Sequence, residues 1–134
     1  KAIKKMRKLY FLDLGIRNII AQNFNSPKFR SDAGALFENF VFLELLKNME
    51  NYHTIHFYRS RDGAEVDFIL NDMYKKISFE AKYSSLLKAK TYKALENFNK
   101  SEKISESYLI NLTLNTETDN IKYIPAYLID KIFA

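Results

Sequence analysis

Three strongly apolar stretches each carry an acidic residue where an ordinary core has no use for one: Gly34-Ala-Leu-Phe-Glu-Asn-Phe-Val-Phe-Leu-Glu-Leu-Leu, Gly63-Ala-Glu-Val-Asp-Phe-Ile-Leu and Ile77-Ser-Phe-Glu-Ala-Lys-Tyr-Ser. The first reads as a helix, in which residues three and four apart share a face. Glu38 then interrupts a stripe formed by Gly34, Ala35, Val41, Phe42, Leu45 and Met49, while Glu44, Lys47 and Asn48 lie on the other side. An unpartnered buried carboxylate is costly. Glu38 therefore needs a cation, a basic side chain or a hydrogen-bond donor, unless the buried face ends at a sheet edge and the carboxylate reaches solvent.

The second and third stretches flank Asn71-Asp-Met, a turn-like break, and predict a β-hairpin. Side chains alternate along a strand. Glu65 and Asp67 thus share a face of the first strand, and Ser78, Glu80 and Lys82 share a face of the second. Val66, Phe68, Ile77, Phe79 and Ala81 fall on the opposite sides and look like core. Antiparallel pairing would bring Asp67 near Glu80 and Lys82. Carboxylate oxygens are the hard ligands that Mg²⁺ prefers, and it is usually held by one or two of them with water and substrate phosphate. A lysine beside them can position a nucleophilic water or stabilise charge on phosphate, while the metal polarises a phosphoryl oxygen. Charges alternating on a solvated strand face give the same pattern, so the residues alone leave both readings open.

A helix glutamate, a strand aspartate and a strand Glu-x-Lys, followed by a helix, resemble the PD-(D/E)XK nuclease superfamily, which includes restriction endonucleases and archaeal Holliday-junction resolvases. The resemblance implies that Asp67 and Glu80 hold Mg²⁺, with Mn²⁺ as an alternative. It further implies that Lys82 assists the attacking water and that Glu38 completes the site. The proline usual before the first strand acid is replaced by Val66. Four blocks extend the likeness: Leu9-Tyr-Phe-Leu-Asp-Leu-Gly-Ile-Arg-Asn, Gly34-Ala-Leu-Phe-Glu-Asn, Tyr58-Arg-Ser-Arg-Asp-Gly-Ala-Glu-Val-Asp-Phe and Phe79-Glu-Ala-Lys-Tyr-Ser. In this order they are similar to the C-terminal domain that follows the ATPase module in a large family of prokaryotic AAA-type ATPases. That implies an ATPase module in the same full-length chain, while the nuclease resemblance implies DNA as a partner.

The elements that must position these residues can be followed along the chain. Lys1, Lys4, Lys5, Arg7 and Lys8 form a basic run, read as a linker over residues 1–8 from a missing N-terminal part, with one nuclease-like domain over 9–134. Leu9-Tyr-Phe-Leu reads as a strand, Asp13 as the N-cap of a helix beginning at Leu14, and Asn23 to Asp32 as a loop whose Asp32 could cap the central helix. Tyr52 to Tyr58 is a strand. Arg59 and Arg61 flank the following turn, where they could reach phosphate. Ser84 to Phe98 reads as a helix packing through Leu87, Tyr92, Leu95 and Phe98, with Lys88, Lys90 and Lys93 as a phosphate-tracking or merely solubilising face. Ser107 to Leu112 is a central strand, Thr113 to Asn120 a loop, Ile121-Lys-Tyr-Ile an edge strand, and a helix with Pro125 near its first turn closes the chain. The order argues for an α/β fold with a mixed central sheet flanked by helices, and the resemblance implies that this fold is PD-(D/E)XK restriction-endonuclease-like.

Composition sets bounds on function. The 134 residues are 47% hydrophobic, enough for the core of one domain. Absence of cysteine removes disulfides and thiolate metal sites and fits a cytoplasmic location. No apolar run approaches the ~20 residues that span a bilayer, which argues against a membrane partner. No Gly-rich phosphate loop with Lys-Ser/Thr is present, so this segment should not bind ATP by itself. The net charge of +5 suits a polyanion, although a Lys-, Asn-, Ile- and Tyr-rich composition also follows from an A+T-rich genome. Three expectations result: a Mg²⁺-dependent DNA-binding or phosphodiester-hydrolysing module, a catalytically silent nuclease-fold module for partner or target recognition, or a purely structural oligomerisation domain.

Overall fold

A computed structural model describes residues 8–60 and 64–134. Arg61 and the basic run before Lys8 lie outside the described residues. Helix α1 (Leu14–Ile20) opens on Asp13, whose carboxylate accepts from the Ile16 N–H, as the capping reading expects. Helix α2 (Ala33–Asn48) carries Glu38. Strands β1 (Thr54–Arg59), β2 (Glu65–Asn71) and β3 (Lys76–Ala81) follow, then α3 (Lys93–Ser101), β4 (Glu106–Asn111), the two-residue β5 (Thr116–Glu117), β6 (Lys122–Pro125) and a terminal 3-10 helix (Ala126–Phe133).

The six strands form one mixed sheet in the order β1-β2-β3-β4-β6-β5. The expected hairpin is present: β2 and β3 are antiparallel, in register from Phe68 opposite Phe79 to Asn71 opposite Lys76. β3, β4 and β6 run parallel, joined by crossovers. Both faces are covered. On one, Val41 and Leu45 of α2 and Ile129 of the terminal helix pack on Phe68, Leu70, Phe79 and Ile110. On the other, Leu86 and α3, through Leu95 and Phe98, pack on Val66, Leu109 and Tyr123. The result is a mixed α/β sandwich.

Four local expectations are corrected. Val66 and Phe68 do not share a face: His56 pairs with Ile69 and Tyr58 with Val66, so Phe57 alone stands opposite Asp67 and Phe68. This β-bulge sends Val66 to the α3 side and Phe68 to the α2 side. Leu9 to Leu12 is not a strand, because the buried Asn39 amide takes both main-chain groups of Phe11. Ser84 to Tyr92 is not helical. The Ser84, Leu86 and Lys90 carbonyls instead accept from the Leu112 N–H and the Thr113 and Tyr123 hydroxyls, and Leu86, not the exposed Leu87, enters the core. β6 is not an edge strand, since β5 pairs with it on its outer side. Asp32 occupies the N-cap position of α2, but its carboxylate is taken by Arg17 and the buried Arg30 rather than by helix N–H groups.

Candidate functional site

The bulge sets up the site. It falls at Asp67 and Phe68, where an extra residue in β2 re-aims the neighbouring side chains. Asp67 is 6% exposed, and its Oδ2 accepts from the Ala81 N–H at 2.8 Å. One strand over, Glu80 Oε1 lies 2.6 Å from Lys82 Nζ, while Glu80 Oε2 is buried without a hydrogen-bond partner. Helix α2 brings Glu38 to the same place. A cavity of about 360 Å³ is lined by Glu38, Asp67, Glu80 and Lys82, together with Gly34, Glu65, Ala81 and Tyr83. The four residues singled out in the sequence therefore line one recess.

Three further residues belong to it. Lys8 Nζ lies 2.9 Å from Glu38 Oε1 and 3.3 Å from Asp67 Oδ1. The Tyr10 hydroxyl also donates to Glu38 Oε1, with its ring stacked on Phe42 and tilted against Phe68. Asn39, next to Glu38 in α2, donates to the Phe11 carbonyl at 2.8 Å and accepts from the Phe11 N–H at 2.9 Å, fixing the segment that carries Lys8 and Tyr10. The sequence held one signal for this clamp, a polar Asn inside an apolar helix. Lys8 was disguised by its place at the end of a basic run.

The electrostatics follow from crowding. Burial, reinforced by the Glu80 and Glu38 carboxylates, pushes the Asp67 carboxyl up to about 6, against the opposing pull of the Ala81 N–H and Lys8. Burial works against the charge of Lys8, yet its hydrogen bond to Glu38 and the nearby Asp67 hold it above the ordinary lysine range. The same balance, with Glu80 as the partner, raises Lys82. Burial and the Glu38 hydrogen bond lift the Tyr10 phenol well above its usual value.

The recess thus holds the Glu38, Asp67 and Glu80 carboxylates against the ammonium groups of Lys8 and Lys82, while Glu65 at its rim pairs with Arg59. Its acidic donors are all oxygens, the partially desolvated Asp67 lacks full charge compensation, and one Glu80 oxygen is unsatisfied. Those features fit a hard divalent cation such as Mg²⁺ or Mn²⁺, for which Asp67 and Glu80 would suffice beside water and phosphate. Among the described residues, no group of three His, Cys, Asp or Glu side chains is already gathered around a common point that could hold a metal ion; Lys8 stands between two of the three acids.

The expected phosphate contacts are less concentrated. Arg59 Nε lies 3.3 Å from Glu65 Oε1 at the rim, with about half its side chain exposed. Lys88 and Lys90 lie in the irregular segment and Lys93 opens α3, all three exposed. Arg61 is outside the described residues. Among the described residues no helix is long and apolar enough to cross a membrane.

A family model described as "Domain of unknown function (DUF4143)" matches residues 33–129. The match begins at α2 and takes in Glu38, Asp67, Glu80 and Lys82, but not Lys8 or Tyr10. Comparison with curated proteins found no match.

Proposed function

The chain belongs to the DUF4143 family, and from the geometry of its recess we propose that it is a nuclease-like module of the PD-(D/E)XK type that binds DNA and hydrolyses a phosphodiester with Mg²⁺. One observation carries the proposal: Glu38 of α2, Asp67 of β2, Glu80 of β3 and Lys82 just beyond β3 converge on a single open recess. Domains of this family commonly follow AAA-type ATPase modules, and such a module in the same full-length chain would present the nucleic acid.

In this reading Asp67 and Glu80 hold the ion, and Glu38 supports it or a neighbouring ammonium. Bound there, the metal supplies polarisation of a phosphoryl oxygen and a lowered pKa for water. Lys82, held against Glu80 by its 2.6 Å ion pair, positions the attacking water and offsets charge developing on the phosphoryl group. The exposed Lys88, Lys90 and Lys93, with Arg59, supply sequence-independent phosphate contacts whose strength falls as salt rises.

The Lys8 contacts favour a second reading, in which Lys8, Glu38, Asp67, Glu80 and Lys82 form an ion-pair network inside a catalytically silent recognition module. Calorimetric titration with Mn²⁺ separates the two. The metal reading expects one ion per chain, lost in Glu80→Gln and retained in Lys82→Ala, with both variants folded. Folded parent protein that takes up no ion, or Glu80→Gln that binds as the parent does, contradicts it.

A further inference from the structure

Lys8 and a divalent cation have claims on the same oxygen atoms. The Lys8 ammonium lies between Glu38 Oε1 and Asp67 Oδ1, at 2.9 and 3.3 Å. It is delivered there by a segment tied down close by: Phe11 is hydrogen-bonded at both main-chain groups to the buried Asn39, and Tyr10 stacks on Phe42 and donates to Glu38. Anchoring of this kind makes the encounter of Lys8 with the two acids intramolecular, so the effective concentration of its ammonium is high. Charge, however, is matched incompletely. With Lys8 and Lys82 in place, and Glu65 paired to Arg59, the Glu38, Asp67 and Glu80 carboxylates leave the recess one positive charge short of neutrality. A divalent ion in place of Lys8, with Lys82 unchanged, closes that difference.

We propose that Lys8 is an intramolecular plug, and that the Glu38–Asp67 pair exchanges between the Lys8 ammonium and a divalent cation. The proposal rests on the reading above in which Asp67 and Glu80 hold a metal, and adds a regulatory state to it. In the plugged state Glu38 and Asp67 are paired with Lys8, and the apparent metal affinity is the intrinsic affinity multiplied by the unplugged fraction of molecules. Metal entry expels the ammonium to the mouth of the recess, where it is free to meet a phosphate of the polyanionic substrate. Linkage requires the effect to be mutual: whatever Lys8 takes from metal affinity, metal takes from the occupancy of Lys8 in the recess.

The test is Mn²⁺ titration of the parent chain and of Lys8→Gln, with folding of each checked by circular dichroism. In parallel, the rate at which an amine-acylating reagent modifies Lys8 of the parent chain is read by mass spectrometry with and without Mn²⁺. Loss of two partly buried ion pairs from the competing state corresponds to an affinity gain on the order of tenfold in Lys8→Gln, and Mn²⁺ is expected to accelerate acylation of Lys8. Equal or weaker Mn²⁺ affinity in folded Lys8→Gln, with unchanged acylation, overturns the plug while leaving the metal site standing. Absence of Mn²⁺ binding in both proteins overturns the metal site and the plug with it. Should Lys8→Gln not fold, the acylation rate of the parent chain decides: acceleration by Mn²⁺ supports the plug, and an unchanged rate overturns it.

Discussion

The Ala81 N–H donates to the Asp67 carboxylate at 2.8 Å, tying the bulge of β2 to the end of the strand that carries Glu80. That bond fixes where the most desolvated acid of the recess points, and it holds Asp67 beside two other carboxylates.

A pH dependence follows. Asp67 ordinarily titrates near 3.8 and is pushed to about 6 in the fold, so between those values the folded chain binds more protons than the unfolded one. Stability at this site is therefore greatest below about pH 4 and declines as pH rises towards 6, by at most about 3 kcal/mol. Asp67→Asn keeps an acceptor for Ala81 and removes the titration. Urea unfolding from pH 4 to 7 should show the variant losing that decline and matching or exceeding the parent at pH 7. An identical pH profile in both proteins would contradict the assignment. Glu106, held down to about 2 first by Lys75 and then by Tyr108 and Lys122, works in the opposite sense, and its contribution is lost only as pH falls below its ordinary 4.5.

Asn39 should matter more than its position beside an acid suggests. Asn39→Ala removes two hydrogen bonds to Phe11 and leaves a gap at a site 2% exposed, a combination that costs about 2–3 kcal/mol. Asn39→Asp cannot donate to the Phe11 carbonyl and should also be destabilised. A change in urea midpoint corresponding to under half that cost in both variants would show that the clamp is dispensable.

Tyr10→Phe isolates the hydroxyl that donates to Glu38, because the ring contacts with Phe42 and Phe68 survive. The expected loss is about 1 kcal/mol, measurable by thermal or chemical unfolding. A variant as stable as the parent would mean that Glu38 is satisfied without Tyr10.

Lys82 separates stability from chemistry. Its side chain is 41% exposed although paired with Glu80, so Lys82→Ala should cost no more than about 1 kcal/mol. A markedly larger drop in stability would favour the ion-pair network over the metal reading.

The hairpin was legible because alternation and the Asn71-Asp-Met break point to the same pairing, and the convergence of Asp67 with Glu80 and Lys82 followed from it. The bulge was not, since neither Gly nor Pro marks Asp67 and Phe68, and only the pairing of β1 with β2 reveals it. Ser84 to Tyr92 has helical composition, but distant donors on Leu112, Thr113 and Tyr123 claim its carbonyls. Leu9 to Leu12 has strand composition, but the Asn39 side chain takes the main-chain bonds that a neighbouring strand would have made. In each case a long-range partner overrode a local preference, and Lys8 reached the recess by the same route.

The most direct measurement is cleavage of supercoiled, linear and branched DNA by the chain in Mg²⁺ or Mn²⁺, with Lys82→Ala and Glu80→Gln purified in parallel. Metal-dependent cutting is expected from the parent chain and none from either folded variant. Cutting that persists equally in both variants, or a folded parent that binds DNA in the presence of metal and leaves it intact, would contradict it.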